Sequence, residues 1–89
     1  MSDVRGQVVL VRGGEGQPLV RRVWDADDSE VTVCTEPAFH QLEGGDASAV
    51  TETVTKEDVF VYDREASIIL ESGGGGIEWS SQIPWQEQN

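Results

Sequence analysis

Apolar residues in this chain come in short β-branched runs, and glycine, proline and acidic residues separate them. That is a strand pattern; a helix would show a 3.6-residue period. The first run, Val8-Val9-Leu10-Val11, predicts a strand from Gln7 to Arg12 with both faces apolar. Gly13 to Pro18 then reads as a loop. Further strands are expected over Leu19–Trp24, Glu30–Thr35, Ala49–Thr55 and Val59–Tyr62, and a sixth if Ser67–Leu70 is counted. Val31 and Val33 alternate with Thr32 and Cys34, so they share one face. Pro37 ends the third strand. Ala38–Glu43 predicts one short helical turn, with Phe39 and Leu42 on one side and Gly44 as its cap. Four glycines at 73–76 form a hinge or a long hairpin loop, and Ile77-Glu78-Trp79 reads as a short strand pairing back. The expected organisation is a β domain over residues 1–72 and a Gly-rich hinge with an acidic Trp-containing tail over 73–89. The expected core is Val8, Leu10, Leu19, Val23, Val31, Val33, Val50, Val54, Phe60 and one or more of Ile68 and Leu70.

Five or six short strands in 89 residues point to an all-β fold, either an antiparallel barrel or a compact sandwich. The order narrows this. A long loop follows strand one, hairpins join strands two, three and four, and Lys56-Glu57-Asp58 leads into Val59-Phe60-Val61-Tyr62. Over residues 7–63 this order resembles the Src-homology-3-like small barrels. The resemblance implies a five- to six-stranded antiparallel barrel with Phe39–Gly45 as an insertion. It does not extend to proline-peptide recognition, because the chain has one Tyr where the peptide-binding members carry a tyrosine-rich loop.

Charge changes the picture from fold to partners. The chain carries −11, and most of it is local. Residues 23–55 hold Asp25, Asp27, Asp28, Glu30, Glu36, Glu43, Asp46 and Glu52 with no Lys or Arg, whereas residues 1–22 hold Arg5, Arg12, Arg21 and Arg22 against Asp3 and Glu15. Such a field repels nucleic acid and anionic membrane and suits a basic protein. Arg21 and Arg22 point to opposite faces, so the arginines make no single nucleic-acid-binding surface and are expected to pair with nearby acids. One cysteine excludes an intrachain disulfide and fits a reducing compartment. No apolar run resembles a signal peptide or a membrane span, so a cytoplasmic protein is expected.

Candidate chemistry is sparse. Asp25, Asp27, Ser29 and Glu36 fall at positions one, three, five and twelve of an EF-hand loop, but position six is Glu30 where the sharp turn needs glycine. Strands also flank the loop where the motif has helices, so no calcium site is expected. Cys34 and His40 are the one thiol and the one imidazole. Cys34 lies in an alternating strand, where free cysteine acts as a small buried apolar group. His40 is expected on the exposed side of the helical turn, with no third group to orient a dyad. No hydrolase elbow, metalloprotease helix or phosphate-binding loop occurs, and no cofactor or enzymatic activity is expected. Trp79 and Trp85 lie in the tail. Indoles there either cap an open end of the barrel or anchor a partner.

Two readings follow. In the first, Asp25, Asp27, Asp28, Glu30, Glu36, Glu43 and Asp46 form a polyanion-like surface that occupies the nucleic-acid site of a basic partner. In composition the chain is similar to phage-encoded acidic inhibitors of restriction or CRISPR machinery. In the second, Trp79 and Trp85 join a small barrel to a larger complex or to its own copies.

Overall fold

The computed structural model describes residues 4–63, 68 and 78–85. Five antiparallel strands form one sheet: β1 (Val8–Arg12), β2 (Pro18–Ala26), β3 (Glu30–Cys34), β4 (Glu52–Thr55) and β5 (Val59–Val61). A helix, α1 (Glu36–Glu43), follows β3, and a 3₁₀ turn, Lys56–Asp58, joins β4 to β5. The sheet order is β4-β3-β2-β1-β5. The most apolar strand, β1, therefore lies between β2 and β5. The sheet is not closed, because β4 and β5 are its two edges.

Register explains which residues become core. Val23 lies opposite Val33, but Asp25 lies opposite Thr32 and Ala26 opposite Val31, so the pairing slips by one residue at Trp24. A bulge of this kind re-aims a side chain. Here it keeps Val23 and Ala26 on one face and sends the Trp24 ring to the other, where it meets Phe39 edge-on at 5.7 Å.

One face is valine. Val9, Val11, Val23, Val31, Val33 and Val59 pack together with Trp85, and Val4, Leu19, Ala26 and Val54 lie around them. The other face carries two smaller clusters. Leu10 and Phe60 lie under Trp79, and Cys34 lies with Ala38 and Phe39 of α1. Residues 78–85 thus cover both faces at the β1–β5 side. Trp85 is 2% exposed, and its indole N–H donates to Gln7 Oε1 at 2.9 Å. The Trp79 indole N–H donates to the Gly16 carbonyl at 2.8 Å. Val61 N–H donates to the Ile83 carbonyl at 2.9 Å, and Phe60 bridges to Pro84.

Several expectations need correction. Strand four begins at Glu52, not Ala49, and Val50 is 76% exposed on the preceding loop, outside the core. β1 turns Val9 and Val11 to the valine face and Leu10 to the opposite one, leaving Val8 only half-buried. The helix starts two residues early. The Thr35 hydroxyl accepts from Ala38 N–H and Pro37 sits in the first turn, a place that suits a residue with no N–H to bond. Pro37 is therefore a helix start as well as a strand stop. Gly44 caps the helix as expected, while the left-handed turn falls on Gly45 at φ 94°. Trp79 lies in a 3₁₀ turn, Trp79–Ser81, in place of a strand. Ile68, expected in a sixth strand, is helical, 56% exposed and outside the core clusters; Leu70 and the other residues of that expected strand lie outside the described residues.

These placements give a stability order. Val33→Ala leaves a hole in the valine face and is expected to destabilise by about 2 kcal/mol, and Trp85→Ala by about 3 kcal/mol or more. Val50→Ala removes exposed methyl groups and is expected to stay within about 0.5 kcal/mol of the parent. Urea unfolding of the three variants checks the order.

Candidate functional site

The acids predicted to act together form two groups. Asp25, Asp27, Asp28 and Glu30 cluster where β2 turns into β3, and all four side chains are exposed. None of them makes an ion pair among the described residues. The turn is built by its own carboxylates. Asp27 Oδ1 accepts from Ser29 N–H at 3.0 Å and from Glu30 N–H at 2.8 Å, and Asp25 Oδ1 accepts from Ala26 N–H at 2.9 Å. Backbone donation to Asp27 from Glu30 and Ser29 holds its carboxyl below the usual value of 3.8. The 3₁₀ turn lies alongside, since Lys56 N–H donates to the Ser29 carbonyl at 3.0 Å. Asp28, Ser29, Thr55, Lys56 and Glu57 line a depression of about 320 Å³ between them. Glu57 and Lys56 therefore belong to this surface. Sequence order alone did not group them with the turn, because they arrive there only through the β3–β4 pairing.

The second group lies beyond the other end of β3. Five strand residues span roughly 13 Å at about 3.3 Å per residue. That exceeds the Debye length of about 8 Å in physiological salt, so the two groups do not sum into one field. Glu36 is also partly neutralised, lying 3.3 Å from Arg22 and 3.6 Å from His40. His40 lies 3.5 Å from Glu43 on its other side. Asp46 turns inward on its own loop, accepting from the Ser48 hydroxyl and backbone N–H, and these bonds lower its pKa. The candidate surface thus contracts to Asp25, Asp27, Asp28 and Glu30, with Glu57 and one cation, Lys56, added.

Arg12, Arg21 and Arg22 pair with acids as expected, and among the described residues Arg5 does not. Arg12 meets Asp58 at 2.8 Å, Arg21 meets Glu52 at 3.4 Å, and Arg22 meets Glu36 from the opposite face. Arg5 stacks on Trp24 with its guanidinium carbon 4.1 Å from the ring centroid. The basic half of the sequence is thereby spent on internal contacts, and the free charge is negative.

The other sequence candidates fall apart in space. Glu36, the twelfth position of the near-EF-hand spacing, is on α1 across the length of β3 from Asp25 and Asp27. Among the described residues no three metal-ligating side chains converge. Cys34 is 2% exposed, and burial raises its thiol pKa. Its Sγ donates to the Arg22 carbonyl, while His40 lies exposed between two glutamates. Trp85 is buried and Trp79 half-buried on Phe60, their ring planes tilted at 4.9 Å between centroids. No described helix is long and apolar enough to cross a membrane. No family model, curated protein or solved structure matches this chain.

The Asp27 hydrogen bonds set a pH dependence. A carboxylate with a lowered folded-state pKa contributes stability above its unfolded value, and that contribution is lost as pH falls through the folded value. Stability is therefore expected to decline as pH drops below about 4. Asp27→Asn, which keeps the turn and removes the titration, should flatten that decline and unfold at lower urea than the parent at about pH 7, because the neutral amide lacks the charge that the backbone donors stabilise. Urea midpoints of both proteins from about pH 2.5, below the usual carboxylate range, to about pH 7, where carboxyls are ionised, make the comparison.

Proposed function

We propose that this chain is a non-catalytic protein-binding module that presents the acidic β2–β3 turn to a basic partner, in the manner of a short polyanion. The observation that carries this reading is the contrast between spent and free charge. The described arginines sit in ion pairs or on an aromatic ring, whereas Asp25, Asp27, Asp28 and Glu30 face solvent unpaired. Acids already held in ion pairs would offer little to a partner. These four are held in a fixed turn, so less order is lost when Lys or Arg side chains meet them. Occupying a nucleic-acid site on such a partner, as an inhibitor of restriction or CRISPR machinery would, is the specific form of this reading. A cytoplasmic setting suits it.

The fold we propose behind it is a small barrel of the Src-homology-3-like kind. Two observations favour this. The 3₁₀ turn enters β5 beside β1, giving the order β4-β3-β2-β1-β5. The central valines reach 0% exposure although, among the described residues, only Val4 and Trp85 join them from outside the sheet, which favours a strongly curled sheet.

The rival reading, an assembly module anchored through the tail, keeps less support. Trp85 is engaged in the core and Trp79 on Phe60, which leaves Ile83, 51% exposed, as the apolar surface of that segment. Salt separates the two readings, since charge steering weakens as ionic strength rises and an apolar anchor does not.

Replacing Asp25, Asp27 and Asp28 together by Asn keeps the turn and removes three charges. Association with a lysine-rich probe peptide, measured by stopped-flow, should slow by about tenfold at low salt, and the difference should shrink at high salt. Equal rates for the variant and the parent at low salt would reject the acidic turn as the docking surface.

A further inference from the structure

The two edges of the sheet are treated differently. The β5 edge is covered, with Val61 N–H bonded to the Ile83 carbonyl and Phe60 bridged to Pro84. Among the described residues the β4 edge is bare. Antiparallel pairing alternates residues whose N–H and C=O face the neighbour with residues whose groups face away. β4 pairs Glu52 with Val33, Thr53 with Thr32, Val54 with Val31 and Thr55 with Glu30. The same ladder continues in Lys56 N–H donating to the Ser29 carbonyl, which fixes the phase. Val54 and Glu52 therefore face β3, and the backbone groups of Thr53 and Thr55 point out of the sheet. Thr53 and Thr55 are exposed, and no described contact meets their backbone N–H groups.

Natural sheets usually blunt such an edge with lysine, proline or a bulge, because it templates another strand. Within Glu52–Thr55 this edge has none of the three, and its one lysine, Lys56, stands beyond the strand's end. It is β-branched at Thr53, Val54 and Thr55, and an added strand forms good threonine cross-strand pairs. Its setting selects the occupant. Asp25 lies opposite Thr32 on the same face as Thr53, and Glu30 lies opposite Thr55. Glu52 lies on the strand itself but opposite Val33 and paired with Arg21, so the free carboxylates nearest this edge are Glu30 and, flanking its end, Asp28 and Glu57. A second copy would bring −11 against −11 and put like charges across the new pairing. A strand with alternating Lys or Arg would find carboxylates within reach of its side chains.

We propose that the β4 edge is a strand-addition site for an extended, basic segment of a partner protein. Backbone bonds to Thr53 and Thr55 give the register, and Glu30, Asp28 and Glu57 select lysine or arginine. The inference rests on the reading of the acidic surface as the docking site for a basic protein, and adds how that protein is held.

The test uses the full chain and a capped peptide of alternating Lys and Val. In an added strand, alternate peptide nitrogens face β4 and the others face solvent. Two versions of the peptide, each N-methylated on one alternate set, carry the same charge. One set is expected to weaken binding by at least about tenfold and the other to leave it unchanged, because only one blocks backbone pairing. Hydrogen exchange at the Thr53 and Thr55 amides should slow on binding. Thr53→Pro removes an outward N–H and leaves the β3 ladder, so it should also weaken binding by about tenfold or more. If both methylated peptides bind like the parent and the two amides stay unprotected, strand addition is wrong, even where the Asp25/Asp27/Asp28 variant shows that charge attracts the peptide. Failure of the unmethylated peptide to bind at low salt overturns the acidic-surface reading and this inference with it. Protection of Thr53 and Thr55 in the protein alone, together with a dimer in sedimentation, would assign the edge to a second copy and overturn the occupant proposed.

Discussion

Everything in this small domain follows from β1 being apolar on both faces. Val9 and Val11 point one way and Leu10 the other, and all three are at most 2% exposed. A sheet with one wet face does not accommodate such a strand. An 89-residue chain buries little surface to begin with, so both coverings must come from short pieces. The chain spends α1 on Cys34 and Trp24, Trp79 on Leu10 and Phe60, and Trp85 on the valine face. The bulge at Trp24 belongs to the same solution, since it supplies an aromatic ring for α1 to pack on while Val23 and Ala26 stay inward.

That demand for cover divides the chemistry of the surface. Large apolar and cationic groups are drawn toward the sheet. Arg12 lies 5.6 Å from the Phe60 ring centroid and 5.8 Å from that of Trp79 while bonding Asp58, and Arg22 lies 5.6 Å from that of Phe39 while meeting Glu36. Long guanidinium side chains suit this, because their stems cover apolar surface while the head finds a carboxylate. The acids left over are those of the β2–β3 turn, where no arginine reaches. The negative surface is thus partly a by-product of packing: the described arginines are consumed inside the fold's own contacts.

How far this was legible in the sequence depended on whether a signal was local. The Val8–Val11 run, the Thr32/Cys34 alternation and the Val59–Val61 run marked β1, β3 and β5 because each contrast lies within a few residues. Pro37 misled, because one residue serves two roles. It stops β3 and starts α1, and only Thr35 as a cap shows the second. Val50 misled because a β-branched residue beside Thr51 looks like strand, and nothing local says that pairing with Val33 begins at Glu52. The fate of Trp85 was not readable at all. Its partners lie in β1 and its neighbours, and Gln7 Oε1 is its hydrogen-bond acceptor from the far end of the chain. The candidate site was half legible. The acids of one turn are adjacent in sequence, but Glu36 was drawn into the same stretch although a whole strand separates them in space.

The central claim is that residues 78–85 belong to the core assembly, which leaves the acidic turn and the β4 edge as the surfaces open to a partner. Hydrogen exchange of the Trp85 indole N–H, followed by NMR beside the backbone amides of Val9 and Val23, tests it most directly. If the indole plugs the valine face, its N–H exchanges only through opening of the sheet, at a free energy close to that of the strand amides. An indole that exchanges as fast as free tryptophan while Val9 and Val23 stay protected would show that the tail leaves the sheet independently. The account would then be contradicted at its base.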